Sequence, residues 1–202
     1  MFDAKLRPLI DPPLNAIGRT LARAGIGANA VTVAGLAPAI GAGIVIAQGH
    51  YLAALALVLL NRLLDGLDGA VARIRGPSDF GGYLDILADF VFYIAVPIGF
   101  GFAAPANALP ALVLVASFTL TGISFLAFAT LAAKRGAQTS AHGSKSFFYS
   151  TGLAEGGETI AVFLAMCIWP QAFVPIALGY AALCLLTVVQ RSVLAWRSFR
   201  NS

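Results

Sequence analysis

The chain has 202 residues, 59% hydrophobic and only 11% charged, with a mean hydropathy of +0.85. Soluble domains carry about a quarter charged residues, so this composition excludes an ordinary soluble fold and indicates a polytopic membrane protein. Its net charge of +4 is then a matter of membrane topology rather than a nucleic-acid footprint.

Residues 1–24 contain Lys5, Arg7, Arg19 and Arg23 among apolar residues, a pattern unlike a signal peptide. Asp11 before Pro12 predicts an N-cap with proline at the first helical position. Leu14, Ile17 and Leu21 make an apolar stripe, so 1–24 reads as an amphipathic helix on the membrane surface, either a charged anchor or a part of the catalytic apparatus. Residues 25–202 follow as one all-α domain, with six transmembrane helices predicted near 29–49, 51–73, 79–103, 107–133, 148–169 and 171–193. Cys167 and Cys184 fall in separate apolar runs with no metal or redox spacing and read as core filler. Trp169, Trp196 and Tyr51 read as interfacial anchors.

The second and third spans break the apolar pattern. Asp65 and Asp68 are i, i+3, Asp85 and Asp89 are i, i+4, and each pair shares a helix face. Gly76-Pro77 interrupts the helix between the pairs and lets the two spans run antiparallel. At 1.5 Å per residue Asp65 lies about 21 Å along its span, short of a hydrocarbon core of about 30 Å. Asp85 and Asp89 lie about 9 and 15 Å in from Asp79. Four carboxylates converging below a membrane surface repel one another unless a cation sits among them. An all-carboxylate set suits Mg²⁺ or Mn²⁺, and two such ions can clamp a phosphoryl group. Gly66, Gly69, Gly81 and Gly82 flank these aspartates and admit either close helix packing or close approach of a diphosphate to the backbone. Arg62, one turn before Asp65, either binds a phosphate or pairs with an aspartate.

With six spans, all 13 basic residues and all 9 acidic residues fall on one side, and the connections near His50, 103–107 and Pro170 carry none. The positive-inside rule makes that side, and both termini, cytoplasmic. Lys134, Arg135, His142 and Lys145 cluster on the connection between the fourth and fifth spans, where positive charge anchors topology. Glu155 and Glu158 stand at the mouth of the fifth span, where they either bind hydroxyls or an amine of a ligand or pair with nearby Arg or Lys, and their cost at a membrane mouth favours function.

The run DGLDGAVAR, then GGYLD and ILAD, resembles the signature D-x2-D-G-x2-A-R, spacer, G-x3-D-x3-D of the CDP-alcohol phosphotransferases. Asp65, Asp68, Gly69, Ala72, Arg73, Gly81, Asp85 and Asp89 occupy its positions in order. The spacer, residues 74–80, is seven residues long where eight is more usual, a loop difference that bears on the substrate rather than on the chemistry. The resemblance implies an inner-membrane enzyme of phospholipid synthesis. It would transfer the phosphatidyl group of a CDP-linked lipid such as CDP-diacylglycerol to a small alcohol and release CMP, commonly as a homodimer. Asp65, Asp68 and Asp85 would be ligands of two Mg²⁺ or Mn²⁺ ions, and Asp89 a ligand and the general base. Gly69, Ala72, Arg73 and Gly81 would line the cytidine diphosphate site, joined by Asn29 and Thr32, which match an Asn-x2-Thr near the nucleotide or else are a helix cap and an unremarkable polar residue. Lys134, Arg135, Lys145, Glu155 and Glu158 are the acceptor candidates, with glycerol 3-phosphate the expected acceptor and inositol phosphate, serine or choline as alternatives. A membrane prenyltransferase ranks lower because its Asp-rich motifs generally lie far apart. A cation transporter ranks lower for want of repeats or charge on the far side.

Overall fold

The computed structural model describes residues 3–134, 154 and 156–200, and among these every regular element is helical. Seven α-helices follow in order: α1 (Asp3–Arg23), α2 (Ala28–Ala47), α3 (Tyr51–Arg75), α4 (Asp79–Ala103), α5 (Ala108–Lys134), α6 (Gly156–Ile168) and α7 (Phe173–Phe199). Short 3-10 turns at Pro105–Asn107 and Pro170–Ala172 lead into α5 and α7.

The connections have local causes. At the end of α2, Gly49 takes φ 80°, its N–H donates to Ile46 O at 2.8 Å, and His50 N–H donates to Val45 O at 2.8 Å. This Schellman pair satisfies carbonyls that the helix end leaves open, and only glycine adopts that φ without strain. Gly76, at φ 95°, stops α3, while the Ser78 hydroxyl accepts from Gly81 N at 3.1 Å and starts α4. The interruption expected at Gly76-Pro77 therefore falls between Arg75 and Asp79.

Two expectations change. The first helix does not begin at Asp11-Pro12 but runs from Asp3 through Pro12 and Pro13. A proline removes one intrahelical donor, yet its fixed φ is a helical value, so an exposed helix can carry it. The stripe also differs: Leu14 and Gly18 are buried and Leu21 half-buried, whereas Ile17 is 46% exposed. The chosen face is the one that fits α3, because Gly18 lets the backbone approach Ala70 while Leu14 packs over Gly66. The fifth predicted span, 148–169, is seen as Gly156–Ile168, and the sixth continues past residue 193 to Phe199.

Helices α2, α4, α5 and α7 are long and apolar enough to cross a membrane. Their outer faces agree, with Phe102 79% and Leu109 69% exposed, as they are on the α3 residue Leu52 at 80%. In water such a surface would be a severe liability; against lipid tails it costs nothing. Within the bundle α2 packs along both α3 and α4, α5 packs against α4 and α7, and α1 lies on α3. Small residues permit the central contact, for Gly43 on α2 meets Gly99 and Ala95 on α4. Phe92, Phe100, Phe163 and Phe173 fill the remaining core, Phe100 and Phe173 stacking at 4.5 Å. Free Cys167 and Cys184 are buried there as filler. Because α3 and α4 pack on α2 rather than on each other, a gap between them is left for polar side chains.

Candidate metal centre

That gap holds the aspartates. One oxygen from each of Asp65, Asp68 and Asp85 lies within 4.8 Å of the others. Helical spacing brings Asp65 and Asp68 to one face of α3, and α4 presents Asp85 from across the gap. Carboxylates this close, in a chain of such low polarity, call for a hard divalent cation. Among the described residues no His or Cys joins the group, so the donor set fits Mg²⁺ or Mn²⁺ better than a typical zinc site.

Each carboxylate has a different surrounding. Asp68 is 6% exposed and accepts from Thr32 Oγ1 at 2.7 Å, which ties the metal-side face of α3 to the first turns of α2. Asp65 is 38% exposed at its side chain and lies 3.6 Å from Arg62 Nη1. Asp89 is not one of the three-carboxylate group; its Oδ1 accepts from the same Arg62 nitrogen at 3.0 Å. A small cavity of about 10 Å³ is lined by Thr32, Gly35, Asn61, Arg62, Asp65, Asp68, Ala88 and Asp89, roughly the space of one water.

Arg62, which the sequence left between phosphate binding and aspartate pairing, pairs with aspartates. Asn61 is the residue that sequence reasoning passed over. It is 5% exposed, donates from Nδ2 to Gly35 O at 2.9 Å and accepts from Arg62 Nε at 2.9 Å and Nη2 at 2.6 Å. The signal was present, since a lone amide at the end of an apolar run must find partners.

The other candidates divide. Asn29 is not the cap of α2, a place taken by Gly27; its Oδ1 faces Gly81, where an added Cβ would sit 3.1 Å away. At Gly69 an added Cβ would meet Arg73 Nη1 at 3.5 Å, so the Arg73 side chain lies over Gly69 on α3, where Ala72 is half-buried. Arg73 Nη2 donates to Asn15 Oδ1 of α1 at 3.1 Å, a partner the motif alone does not reveal. Lys134 is exposed at the end of α5, and Glu158 lies in the first turn of α6. Arg135, His142, Lys145 and Glu155 lie outside the described residues.

A second cavity of about 110 Å³ opens among α4, α5, α6 and α7, lined by residues including Phe90, Tyr93, Thr121, Phe125 and Thr159. Tyr93, which lines this space, lies one turn beyond Asp89 on the same face of α4, while no carboxylate among the described residues lines the cavity itself. Arg191 is 6% exposed beside it, donating from Nη1 to Thr121 O and Ser124 Oγ, both at 2.8 Å. Sequence reasoning had counted Arg191 only as a cytosolic charge; a cation followed by further apolar residues was its clue.

Comparison with known proteins gives a consistent picture. The family model for CDP-alcohol phosphatidyltransferase matches residues 26–196. "Inner membrane protein YnjF" of Escherichia coli K12 is 48% identical over 192 residues, 95% of this chain and 93% of that one. An archaetidylinositol phosphate synthase of Pyrococcus horikoshii is 38% identical over 87 residues, 43% of this chain and 46% of its own. In fold, the chain resembles the Mycobacterium tuberculosis phosphatidylinositol phosphate synthase PgsA1 solved with CDP-DAG bound, at TM-score 0.75 and 22% identity, covering 91% of this chain and 93% of that one. PgsA1 has also been solved with manganese and citrate, where the TM-score is 0.73 at 23% identity, covering 91% and 88% of the two chains.

Proposed function

This chain belongs to the CDP-alcohol phosphatidyltransferase family, and we propose that it transfers the phosphatidyl group of CDP-diacylglycerol to a phosphorylated polyol, releasing CMP. The observation that carries this reading is the convergence of Asp65, Asp68 and Asp85 within 4.8 Å, on the residues that match the family signature. Those three aspartates would hold Mg²⁺ or Mn²⁺, which when bound neutralises charge on the diphosphate and on the leaving CMP.

The chain's own groups do the rest. Gly69 and Gly81 leave room beside the carboxylates for the diphosphate, with Asn29, Thr32 and Ala72 around the nucleotide. Arg73, held by Asn15, counters phosphate charge at the cytosolic edge. Asp89 takes the proton of the acceptor hydroxyl as that oxygen bonds to the phosphatidyl phosphorus. The phosphorus–oxygen bond to CMP breaks, its electron pair leaving with CMP. Positioning and charge neutralisation supply most of the rate in such transfers.

The 110 Å³ cavity, one helical turn from Asp89 and with Arg191 hydrogen-bonded to the carbonyl of Thr121 in its wall, is the proposed acceptor site. Lys134 and Glu158 are the acceptor-binding candidates among the described residues, and Arg135, Lys145 and Glu155 remain candidates from the sequence alone. The names of the archaeal and mycobacterial relatives favour inositol phosphate over the glycerol 3-phosphate expected from the sequence. The enzyme would work as a homodimer in the inner membrane. Six spans, counting α3 and α6 with α2, α4, α5 and α7, would follow an α1 surface helix, with site and termini facing the cytoplasm.

The test is CMP release from CDP-diacylglycerol by purified protein with Mn²⁺, against inositol phosphate, glycerol 3-phosphate, serine and choline. Release with a phosphorylated polyol alone is the expected result. Release with serine or choline and neither phosphate would overturn the acceptor assignment.

A further inference from the structure

One wall of the 110 Å³ cavity depends on a missing side chain. Gly122 is buried on α5, and an added Cβ there would run into Cζ and both Cε atoms of the Phe90 ring. Phe90 thus reaches from α4 across to α5, with the tip of its ring seated against bare backbone. The same ring meets Tyr93 edge to face at 6.1 Å between centroids, and Tyr93 in turn packs on Phe118 at 5.7 Å. Phe90, Tyr93, Phe118 and Gly122 all line the cavity, so the seat of one ring fixes how much of it stays open. Among the described residues no charged side chain lines this space, and its polar groups include the hydroxyls of Thr121 and Thr159. Rings beside a few hydroxyls suit the hydroxylated carbon skeleton of a polyol rather than its phosphate.

We propose that the Phe90–Gly122 contact sets the size limit of the acceptor site, which makes Gly122 a specificity-determining position for the transfer. The proposal rests on the reading above that this cavity receives the acceptor. A methyl group at position 122 evicts the tip of the ring, because a packed interior has no slack of that size. The adjoining empty space is the cavity that both residues line, so the ring moves there at the expense of the acceptor. A cyclic polyol fills more of the space than glycerol does and loses more of its binding. One methylene too many in a pocket is worth about 10–200-fold in discrimination. Trimming Phe90 to leucine removes the ring atoms that meet the methyl group, and so returns the room that the methyl group takes.

The experiment compares inositol phosphate with glycerol 3-phosphate in wild type, Gly122→Ala, Phe90→Leu and the double variant, through KM and kcat for CMP release with Mn²⁺. Calorimetric binding of the same acceptors to the protein with CMP and Mn²⁺ gives the ratio without turnover. Gly122→Ala should raise KM for inositol phosphate about tenfold. KM for glycerol 3-phosphate should rise less, and KM for CDP-diacylglycerol should not change. Adding Phe90→Leu to Gly122→Ala should restore most of the inositol phosphate KM, a non-additive rescue that two unrelated core losses would not give. If Gly122→Ala fails to fold, Phe90→Leu alone carries the test: it widens the site and should admit an O-methyl inositol phosphate that wild type rejects. Equal effects of Gly122→Ala on both acceptors, no rescue by Phe90→Leu, or equal use of the O-methyl acceptor by wild type and Phe90→Leu overturns the proposal. If wild type releases no CMP with any acceptor, the transferase reading fails and the calorimetric ratios alone decide the size limit; binding of no acceptor overturns both.

Discussion

Asp68 shows how far a single residue's environment is built rather than incidental. A buried carboxylate needs donors, and the hydroxyl of Thr32 supplies one at 2.7 Å from a different helix. Thr32→Val keeps the shape and removes the donor, at a cost of about 1–3 kcal/mol. The variant should melt below wild type without metal, and the gap should narrow when Mn²⁺ is added, because a cation relieves the same unpaired charge. Identical melting curves without metal would contradict this. At this scale much was legible: four aspartates in an apolar chain announce themselves, and their i, i+3 and i, i+4 spacings gave the shared faces. What spacing could not give was the partner of each. Thr32 lies 36 positions from Asp68 and Arg62 lies 27 from Asp89, and one sequence carries no record of which distant side chains meet.

Among the elements, α2 decides where the centre forms. It lies along both aspartate-bearing helices and brings Thr32 and Gly35 to α3 while Gly43 presses against Ala95 and Gly99 of α4. A Cβ at Gly43 would run into the Ala95 carbonyl, so Gly43→Val should force α2 and α4 apart, at a cost of about 1–3 kcal/mol. Gly179 on α7 has open space around its Cα and makes the matched control. Gly43→Val should lower the melting temperature in detergent and weaken Mn²⁺ binding, with Gly179→Val close to wild type; equal melting of the two would show that the contact does not hold the bundle. Helix existence was legible from apolar run lengths. Helix neighbours were not, because α2 is apolar all round and no stripe marks a preferred side. The start of α1 was misjudged for a related reason, as proline at 12 and 13 marks a boundary only where the lost donor matters.

For the whole molecule the claim is one of sidedness. Every Lys and Arg lies on the face that carries the aspartates if six spans are made, so single cysteines should report opposite accessibilities. Ala24→Cys should label only from the cytosolic side and Ala106→Cys only from the other, against a low background because Cys167 and Cys184 are 2% and 1% exposed. Labelling of both from one side would break the six-span topology. The charge asymmetry behind this expectation was visible in sequence, whereas the gap between α3 and α4 that turns spaced carboxylates into a site came only from the packing.

The most direct measurement is a Mn²⁺ titration of CMP release from CDP-diacylglycerol, comparing wild type with Asp85→Asn. Asparagine keeps the size of Asp85 and removes its charge from the three-carboxylate group. The account predicts that wild-type release depends strictly on the metal, and that Asp85→Asn folds but loses release together with tight Mn²⁺ binding. Metal-independent release, or full activity in Asp85→Asn, would contradict a transferase built on these aspartates.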